Sequence, residues 1–197
     1  MHDTRKELKM LKPLAAVFLA SVVMTGCTHS ASKAPAPAEL RRLIESIGQR
    51  LDIATDVAQS KFYSGKAVQD SERERQVIAN AEQQASTYAL DTEDVREFMT
   101  AQIEANKMVQ YARIAQWHDE GPAPQKPTVT LTNGIRTRLD TLQPVMMQQF
   151  AAFKPLRTQV ACNDWIATEI RRRTKDPILV TAMQRATSSL CLLPPKA

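Results

Sequence analysis

Apolar residues repeat every three to four positions along most of this chain, which is the spacing of amphipathic helices. The first stripe consists of Leu43, Ile47, Arg50, Ala54, Val57 and Lys61. A second stripe with the same spacing consists of Met99, Ile103, Asn106, Gln110, Arg113 and Trp117. Period-2 alternation, the mark of a half-buried strand, never extends beyond about five residues. The pattern therefore predicts an all-α protein without a sheet.

The stripes and their breaks predict a single-domain bundle of about six helices, with long first and third helices. The first half contains helices over about 38–61, 66–88 and 91–118, and the second half over about 132–153, 155–174 and 176–191. Tyr63-Ser64-Gly65 ends the first helix, and Asp91 is an N-cap for the third. Asp176 followed by Pro177 is a typical start for the last.

A proline-rich segment over 120–128 divides the mature chain into two parts. Three prolines within six residues cannot continue a helix. We expect residues 38–119 to form one set of helices. Residues 129–197 then form a C-terminal helical part that packs on the first set.

Polar side chains interrupt the apolar stripes where a bundle would bury them. Arg50 and Lys61 lie on the first stripe, and Asn106 and Gln110 on the second. Asp70 and Arg73 precede Val77 on a stripe between these two, which raises the number of polar positions further. A buried cation is costly unless an anion meets it. The pattern predicts a buried pocket for an acidic small molecule, whereas a lone arginine or lysine at such a position commonly extends to water.

The sequence offers no metal-ligand set and no Ser–His or Cys–His pair, so we expect neither a metal nor a cofactor. The few histidines are scattered, and two of the three lie before residue 30. The side chains that remain suit electrostatic catalysis on an anion.

The N-terminus has the features of an export signal over residues 1–26. Four basic residues precede an apolar segment over 14–24, which is too short to span a bilayer as a stable helix. Met24-Thr25-Gly26-Cys27 resembles a bacterial lipobox, in which Cys27 is lipidated. Cleavage downstream, between Ser30 and Ala36, and an uncleaved anchor are the alternatives. Residues 27–37 are predicted to form a Pro/Ala/Ser tether.

Export changes how the charge and the cysteines are interpreted. Residues 1–26 hold four basic and two acidic residues, so their removal lowers the net charge from +5 to about +3. This mild charge, without a basic stripe interleaved with aromatic residues, makes nucleic acid a poor candidate partner. If Cys27 carries lipid, Cys162 and Cys191 remain as a pair in an oxidising compartment. Their bridge would contribute roughly 3–4 kcal/mol on the chain-entropy estimate.

Three segments resemble, in order and in separation, motifs of the all-helical chorismate mutases. The segments are 49–61 (QRLDIATDVAQSK), 70–74 (DSERE) and 101–110 (AQIEANKMVQ). The signal segment, the proline-rich joint and the two distal cysteines resemble the secreted, periplasmic subclass of that family. The resemblance implies a cofactor-free pericyclic rearrangement of chorismate to prephenate. The enzyme would hold the dicarboxylate in its reactive conformer and stabilise negative charge on the ether oxygen.

The resemblance also implies a role for each residue of the site. Arg50 binds a carboxylate, Lys61 and Gln110 donate to the ether oxygen, Arg73 and Asn106 bind carboxylate on another side, and Asp70 and Glu74 lie near the ring hydroxyl. Two of these residues have alternatives, since Asp70 can begin a helix and Glu74 can belong to a surface ion network. Lys107 and Glu104 are interpreted as solvated helix charges, and Arg113 as a residue at the rim of the pocket.

The resemblance further implies one arginine from the second half. Arg136 shares a stripe with Leu139, Gln143, Met146 and Phe150. Arg138 is the alternative, and about 200° of helical rotation separates the two, so that one of them faces the pocket. The expected partner is chorismate, with membrane contact only through a lipid anchor and a homodimer as an assembly typical of the subclass. A non-catalytic helical lipoprotein that binds or scaffolds partners is the alternative function, and a binding protein for another dianion is a third.

Overall fold

The computed structural model describes residues 35–119, 121, 124–126 and 131–192. The predicted signal segment, Cys27 and most of the tether lie outside the described residues, as does most of the proline-rich joint. Within the described ranges, no helix is long and apolar enough to cross a membrane. Residues 34–197 form one compact unit.

The described residues form six α-helices and contain no strand, so the predicted all-α class is confirmed. They are α1 (Ala38–Ser64), α2 (Ser71–Gln83), α3 (Thr92–Asp119), α4 (Arg136–Phe153), α5 (Cys162–Arg173) and α6 (Pro177–Ala186). As predicted, the first and third helices are long. Gly65 ends α1 in the left-handed conformation (φ 66°), which glycine adopts without a steric cost.

The long helices α1 and α3 form the centre of the bundle and pack against each other. α4 and α5 cover α1, α6 covers α3, and α2 packs on α3. The apolar stripe of α1 is fully buried at Leu43, Ile47 and Leu51. Across the core, Phe98 of α3 stacks on Phe150 of α4 with ring centroids 4.5 Å apart. The helices before and after the proline-rich joint therefore share one hydrophobic core.

The second helix is shorter than predicted. Residues 66–70 form a loop, and α2 begins only at Ser71 because Asp70 is its N-cap. The Asp70 carboxylate accepts a hydrogen bond from the Arg73 backbone N–H at 3.2 Å. At its other end, α2 gives way after Gln83 to a 3-10 turn over Ala85–Tyr88.

The last two helices are also shorter than predicted, and Arg157 connects the segments that flank them. Its backbone carbonyl accepts from the Leu192 N–H at 2.9 Å, and α5 starts only at Cys162. Its guanidinium binds the carbonyls of Ser189 and Leu190, which lie beyond the end of α6 at Ala186. Helical carbonyls at these positions would instead point along the helix axis.

The cysteines Cys162 and Cys191 form a disulfide, as predicted, with Cα atoms 5.8 Å apart. The bond links the start of α5 to the segment that follows α6. The fourth helix differs from its predicted start, because a π-helical turn over Leu131–Ile135 precedes α4. Ile135 of this turn is buried against Ile53 and Val57 of α1, which brings α4 close to the polar stripe of α1.

Candidate active site

A cavity of about 370 Å³ lies between α1, α2, α3 and α4, with the 66–70 loop as one wall. This volume is in the usual range for a site that encloses a small molecule. The structure brings all eight sequence-predicted binding residues to its lining: Arg50, Lys61, Asp70, Arg73, Glu74, Asn106, Gln110 and Arg136. These residues come from four helices and a loop, and only the tertiary structure brings them together.

Arg50 is a buried cation at the wall that α1 contributes. The residue is only 6% exposed, and its Nε has no hydrogen-bond partner among the described residues. Burial lowers the pKa of the guanidinium to about 10, and the nearby Asp140 carboxylate opposes this shift. An arginine with unfilled donors in a cavity is arranged to receive a carboxylate, because the planar guanidinium matches carboxylate geometry.

Lys61 lies about three helical turns further along α1, next to the 66–70 loop. Its Nζ donates to the Val68 carbonyl at 2.8 Å, which leaves two of its three N–H donors for other acceptors. Burial lowers the pKa of the ammonium. Asp70 and Glu74 oppose that shift, and Arg136 adds to it.

Asn106 and Gln110 lie one turn apart on α3 and are both buried. Gln110 donates from Nε2 to the Asn106 Oδ1 at 2.6 Å, and Asn106 donates weakly to the Arg50 carbonyl at 3.5 Å. The Gln110 Oε1 has no partner within the described part of the chain. A buried polar atom without a partner in a cavity indicates a position where a ligand supplies the missing contact.

The α2 side of the cavity carries a network of charges. Arg73 donates to the Asp140 carboxylate of α4 at 3.2 Å. Glu74 accepts from the Asp70 backbone N–H at 3.2 Å and from Lys107 at 3.0 Å. Asp70 therefore caps α2 and also lines the cavity. A helix-capping position and a position at the binding site are compatible for this residue.

On α4 the structure separates the two candidate arginines. Arg136 lines the cavity, one turn before Asp140 on the same helix. Arg138 is not among the lining residues and instead pairs with Asp56 on the outside of α1 at 2.6 Å. Both members of that pair are about half exposed.

Two interpretations from the sequence were wrong. Lys107 is not a solvated charge: its side chain is 12% exposed, lines the cavity and lies between Glu74 and Glu104. Burial lowers the pKa of Lys107, but the two carboxylates outweigh burial and the net shift is upward. Arg113 is not a rim residue of the cavity, because it pairs with Asp176 at the start of α6.

Asp140 is the residue of the cavity that sequence analysis missed. It lies 67 residues from Arg73, and neither the spacing of the stripes nor the family motifs indicate it. Its position one turn after Arg136 is the signal that would have found it, because residues four apart share a helix face.

The summed charge of the lining is positive. Six cations stand against three carboxylates: Arg50, Lys61, Lys66, Arg73, Lys107 and Arg136 against Asp70, Glu74 and Asp140. Among the described residues, no group of three or more acidic, histidine or cysteine side chains is placed to hold a metal ion. The cavity is therefore arranged to bind a small dianion through guanidinium, ammonium and amide donors.

Comparison with known proteins gives consistent results. A family model described as chorismate mutase type II matches residues 41–111. The secreted chorismate mutase of Mycolicibacterium smegmatis is 33% identical over 185 residues, which is 90% of this chain and 99% of the relative. The secreted chorismate mutase of Mycobacterium tuberculosis is 26% identical and covers 91% of this chain and 96% of the relative. The crystal structure of a chorismate mutase from Burkholderia phymatum aligns with a TM-score of 0.75 and 37% identity, covering 78% of this chain and 96% of that one. The chain therefore belongs to the chorismate mutase family, in the group of its secreted members.

Proposed function

We propose that this protein catalyses the rearrangement of chorismate to prephenate without a cofactor. The observation that carries the proposal is a cavity lined by cations in which the buried Arg50 Nε has no hydrogen-bond partner, in a chain that is 33% identical to a secreted chorismate mutase over nearly its full length. A structural protein gains nothing from a buried guanidinium donor that stays unfilled, since an unsatisfied buried polar group destabilises the fold. A dicarboxylate substrate removes this cost.

Arginines from three helices account for the recognition of the two carboxylates. Arg50 binds one carboxylate, with its partnerless Nε as a donor. Arg73, with Asn106, binds carboxylate from another side, and Arg136 supplies the cation from the second half of the chain. Contacts from opposite walls fix the relative orientation of the carboxylates, which selects the chair-like conformer in which the reacting carbons meet.

Lys61 and Gln110 act on the ether oxygen. As the C–O bond breaks, negative charge develops on this oxygen, and donors that are already in place stabilise the charge without reorganisation. Lys61 has two free N–H donors after its bond to Val68. The attraction between the ammonium and the developing negative charge is stronger in the partly buried cavity than it would be in water.

Gln110 can donate to the ether oxygen through the second N–H of its Nε2, or through both after its amide turns. One N–H of Nε2 is bound to Asn106, and Oε1 is the atom without a partner. If both amides rotate by 180°, Gln110 Nε2 becomes free while Asn106 Nδ2 donates to Gln110 Oε1. The only bond lost is the weak 3.5 Å contact between Asn106 and the Arg50 carbonyl.

The acidic pair Asp70 and Glu74 is proposed to bind the ring hydroxyl of the substrate. Asp70 keeps an oxygen for this purpose, because one carboxylate oxygen is sufficient for the cap of α2. Glu74 is held by Lys107 and by the Asp70 N–H, so its orientation is set before the substrate arrives. Two acceptors at this wall also limit the repulsion among the cations of the cavity.

The proposal is tested by mixing the purified protein with chorismate and following the loss of its ultraviolet absorbance together with prephenate formation. We expect turnover by the wild-type protein. Lys61→Ala should reduce kcat on the order of 10²-fold or more, by analogy with the removal of one oxyanion donor. Lys175→Ala, which removes an exposed lysine at the end of α5, is the matched control and should leave kcat unchanged.

The same assay separates the alternatives. A scaffold lipoprotein would show no turnover, and replacement of Arg50 or Lys61 by leucine would leave its partner binding intact. A binding protein for another dianion would retain chorismate without forming prephenate. Turnover that survives Lys61→Ala undiminished would refute the assigned role of this lysine.

We further propose that the chain is exported and held at a membrane through a lipid on Cys27. Support comes from the basic and apolar segments before the lipobox-like Met24-Thr25-Gly26-Cys27, and from relatives that are named secreted. The mass of the mature N-terminal peptide distinguishes lipidation from cleavage downstream. The homodimer implied by the resemblance remains a prediction, which sedimentation at several protein concentrations tests.

A further inference from the structure

The cavity contains its own anion at the place where a substrate carboxylate is expected. Asp140 of α4 lines the cavity and accepts a hydrogen bond from Arg73 of α2 at 3.2 Å. The two side chains are 61% and 36% exposed, so the pair lies at the open edge of the cavity rather than in its depth. It is also the one side-chain ion pair that joins α2 to α4 among the described residues.

The Asp140 carboxylate is unexpected in a site that binds a dianion, because it repels a ligand of the same charge. It lies near a second carboxylate-binding cation as well, since its charge acts on Arg50. Asp70 and Glu74 also line the cavity, but backbone N–H groups and Lys107 hold them on the α2 and α3 wall. Asp140, by contrast, receives its hydrogen bond from a side chain that the substrate needs.

We propose that Asp140 is an internal competitor: it occupies Arg73 in the empty site, and a carboxylate of the substrate displaces it. This inference rests on the proposed function. Because prephenate is a dianion like chorismate, Asp140 weakens the binding of substrate and product alike. It thereby acts as a positioning residue, which keeps Arg73 oriented toward the cavity before binding and limits retention of the product.

The competitor role predicts an unusual result for the removal of a lining residue, namely tighter binding. Asp140→Asn keeps the shape of the side chain and removes its charge. We expect KM for chorismate and the inhibition constant of prephenate to fall together, by roughly two- to five-fold, the upper part of the range expected of one partly exposed charge pair. Asp140→Glu restores the charge and should return both constants most of the way to the wild-type values.

Asp56→Asn is the matched control. It also removes one negative charge and also releases an arginine of α4, but the Asp56–Arg138 pair lies outside the cavity lining. Its KM and inhibition constant should equal those of the wild type. If KM and the inhibition constant fell equally in Asp140→Asn and Asp56→Asn, the effect would be one of net charge, and the proposal would be overturned.

A second comparison tests the pathway through Arg73. In an Arg73→Gln background, Asp140→Asn should change the inhibition constant of prephenate less than it does in the wild type, because the competing pair no longer exists. A rise of KM in Asp140→Asn would mean that Asp140 orients Arg73 in the bound state, and would overturn the competitor role. Absence of turnover by the wild-type protein would instead refute the proposed function.

Discussion

Two buried arginines of this protein have opposite surroundings. Arg157, between α4 and α5, is 2% exposed, and all three of its nitrogens are partnered: by Asp94 at 2.7 Å, by the Ser189 carbonyl at 2.9 Å and by the Leu190 carbonyl at 3.0 Å. Its guanidinium carbon also lies 5.2 Å from the centre of the Phe150 ring. Arg50, at the cavity, is 6% exposed and has an Nε without a partner.

The difference separates a cation that holds the fold from a cation that awaits a ligand. Burial alone does not distinguish them, since both residues are nearly inaccessible to water. Donor state and position together do. The Arg50 Nε lacks a partner at the wall of a cavity, whereas Arg113 and Arg173, whose Nε atoms also lack hydrogen-bond partners, lie outside the cavity lining and pair with Asp176 and Asp52. Substitution of each arginine, and the pH dependence of the site that contains Arg50, test this distinction.

The largest effect is expected for Arg157→Met. The change removes the hydrogen-bond donor of Asp94, which keeps only the more distant Lys154, and removes the donors of the Ser189 and Leu190 carbonyls; together these losses should lower the free energy of unfolding by about 3–5 kcal/mol. Urea unfolding followed by circular dichroism measures this loss. The folded fraction should keep the wild-type kcat, so a loss of kcat without a loss of stability would show that Arg157 serves the site. If the variant does not fold, Arg157→Lys offers a milder test, with a smaller loss of the same sign.

Arg50→Met should have the reverse outcome. Turnover of chorismate should fall by about 10²-fold or more in kcat/KM, equivalent to roughly 2.7 kcal/mol of transition-state binding. The free energy of unfolding should stay level or rise, because an apolar side chain of similar length replaces a buried charge. Urea unfolding checks stability, and steady-state rates check activity. Strong destabilisation of Arg50→Met would contradict the distinction between the two arginines.

The smallest effect is expected in the pH profile of the wild-type enzyme. The Gln110 amide donates at any pH, so kcat/KM should stay nearly level from about pH 5 to 8. Burial lowers the pKa of Lys61, so its ammonium loses its proton at a lower pH than an exposed lysine does. Activity should therefore decline at alkaline pH, because the Lys61 ammonium loses its proton and its positive charge as the pH rises. The profile of kcat/KM reports the free enzyme and is the quantity to measure.

Gln110→Glu sharpens the same experiment. A carboxyl group donates only when it is protonated, so the activity of this variant should fall as the pH rises through the pKa of the introduced glutamate. A flat profile in Gln110→Glu, or a steep change in the wild type between pH 5 and 8, would exclude Gln110 as the donor to the ether oxygen.

The sequence was sufficient for the elements whose signals are local. The polar positions on the stripes of α1 and α3 predicted Arg50, Lys61, Asn106 and Gln110 at one cavity, because helical spacing fixes which side chains share a face. The ends of the shorter helices were not predictable in the same way. Around the start of α5 and the end of α6, Arg157 exchanges hydrogen bonds with residues more than thirty positions away, which helical spacing does not indicate.

Lys107 and Asp140 show the same limit at the site. The position of Lys107 along α3 is typical of an exposed charge. It is buried only because α2 packs on α3 and brings Glu74 close to it. Asp140 meets Arg73 across 67 residues of sequence. No local pattern indicates such a pair, because long-range contacts depend on how the helices pack rather than on their periodicity.

By itself the sequence determined the class of the fold, the family, the cysteine pair and the residues that can bind a dianion, since periodicity, motifs and residue chemistry are properties of the chain. The tertiary structure alone decided which cations remain without partners, which of Arg136 and Arg138 reaches the cavity, and that an acidic side chain occupies Arg73. The physical reason is that desolvation and ion pairing depend on what surrounds a charge in three dimensions, and helices distant in sequence supply those surroundings.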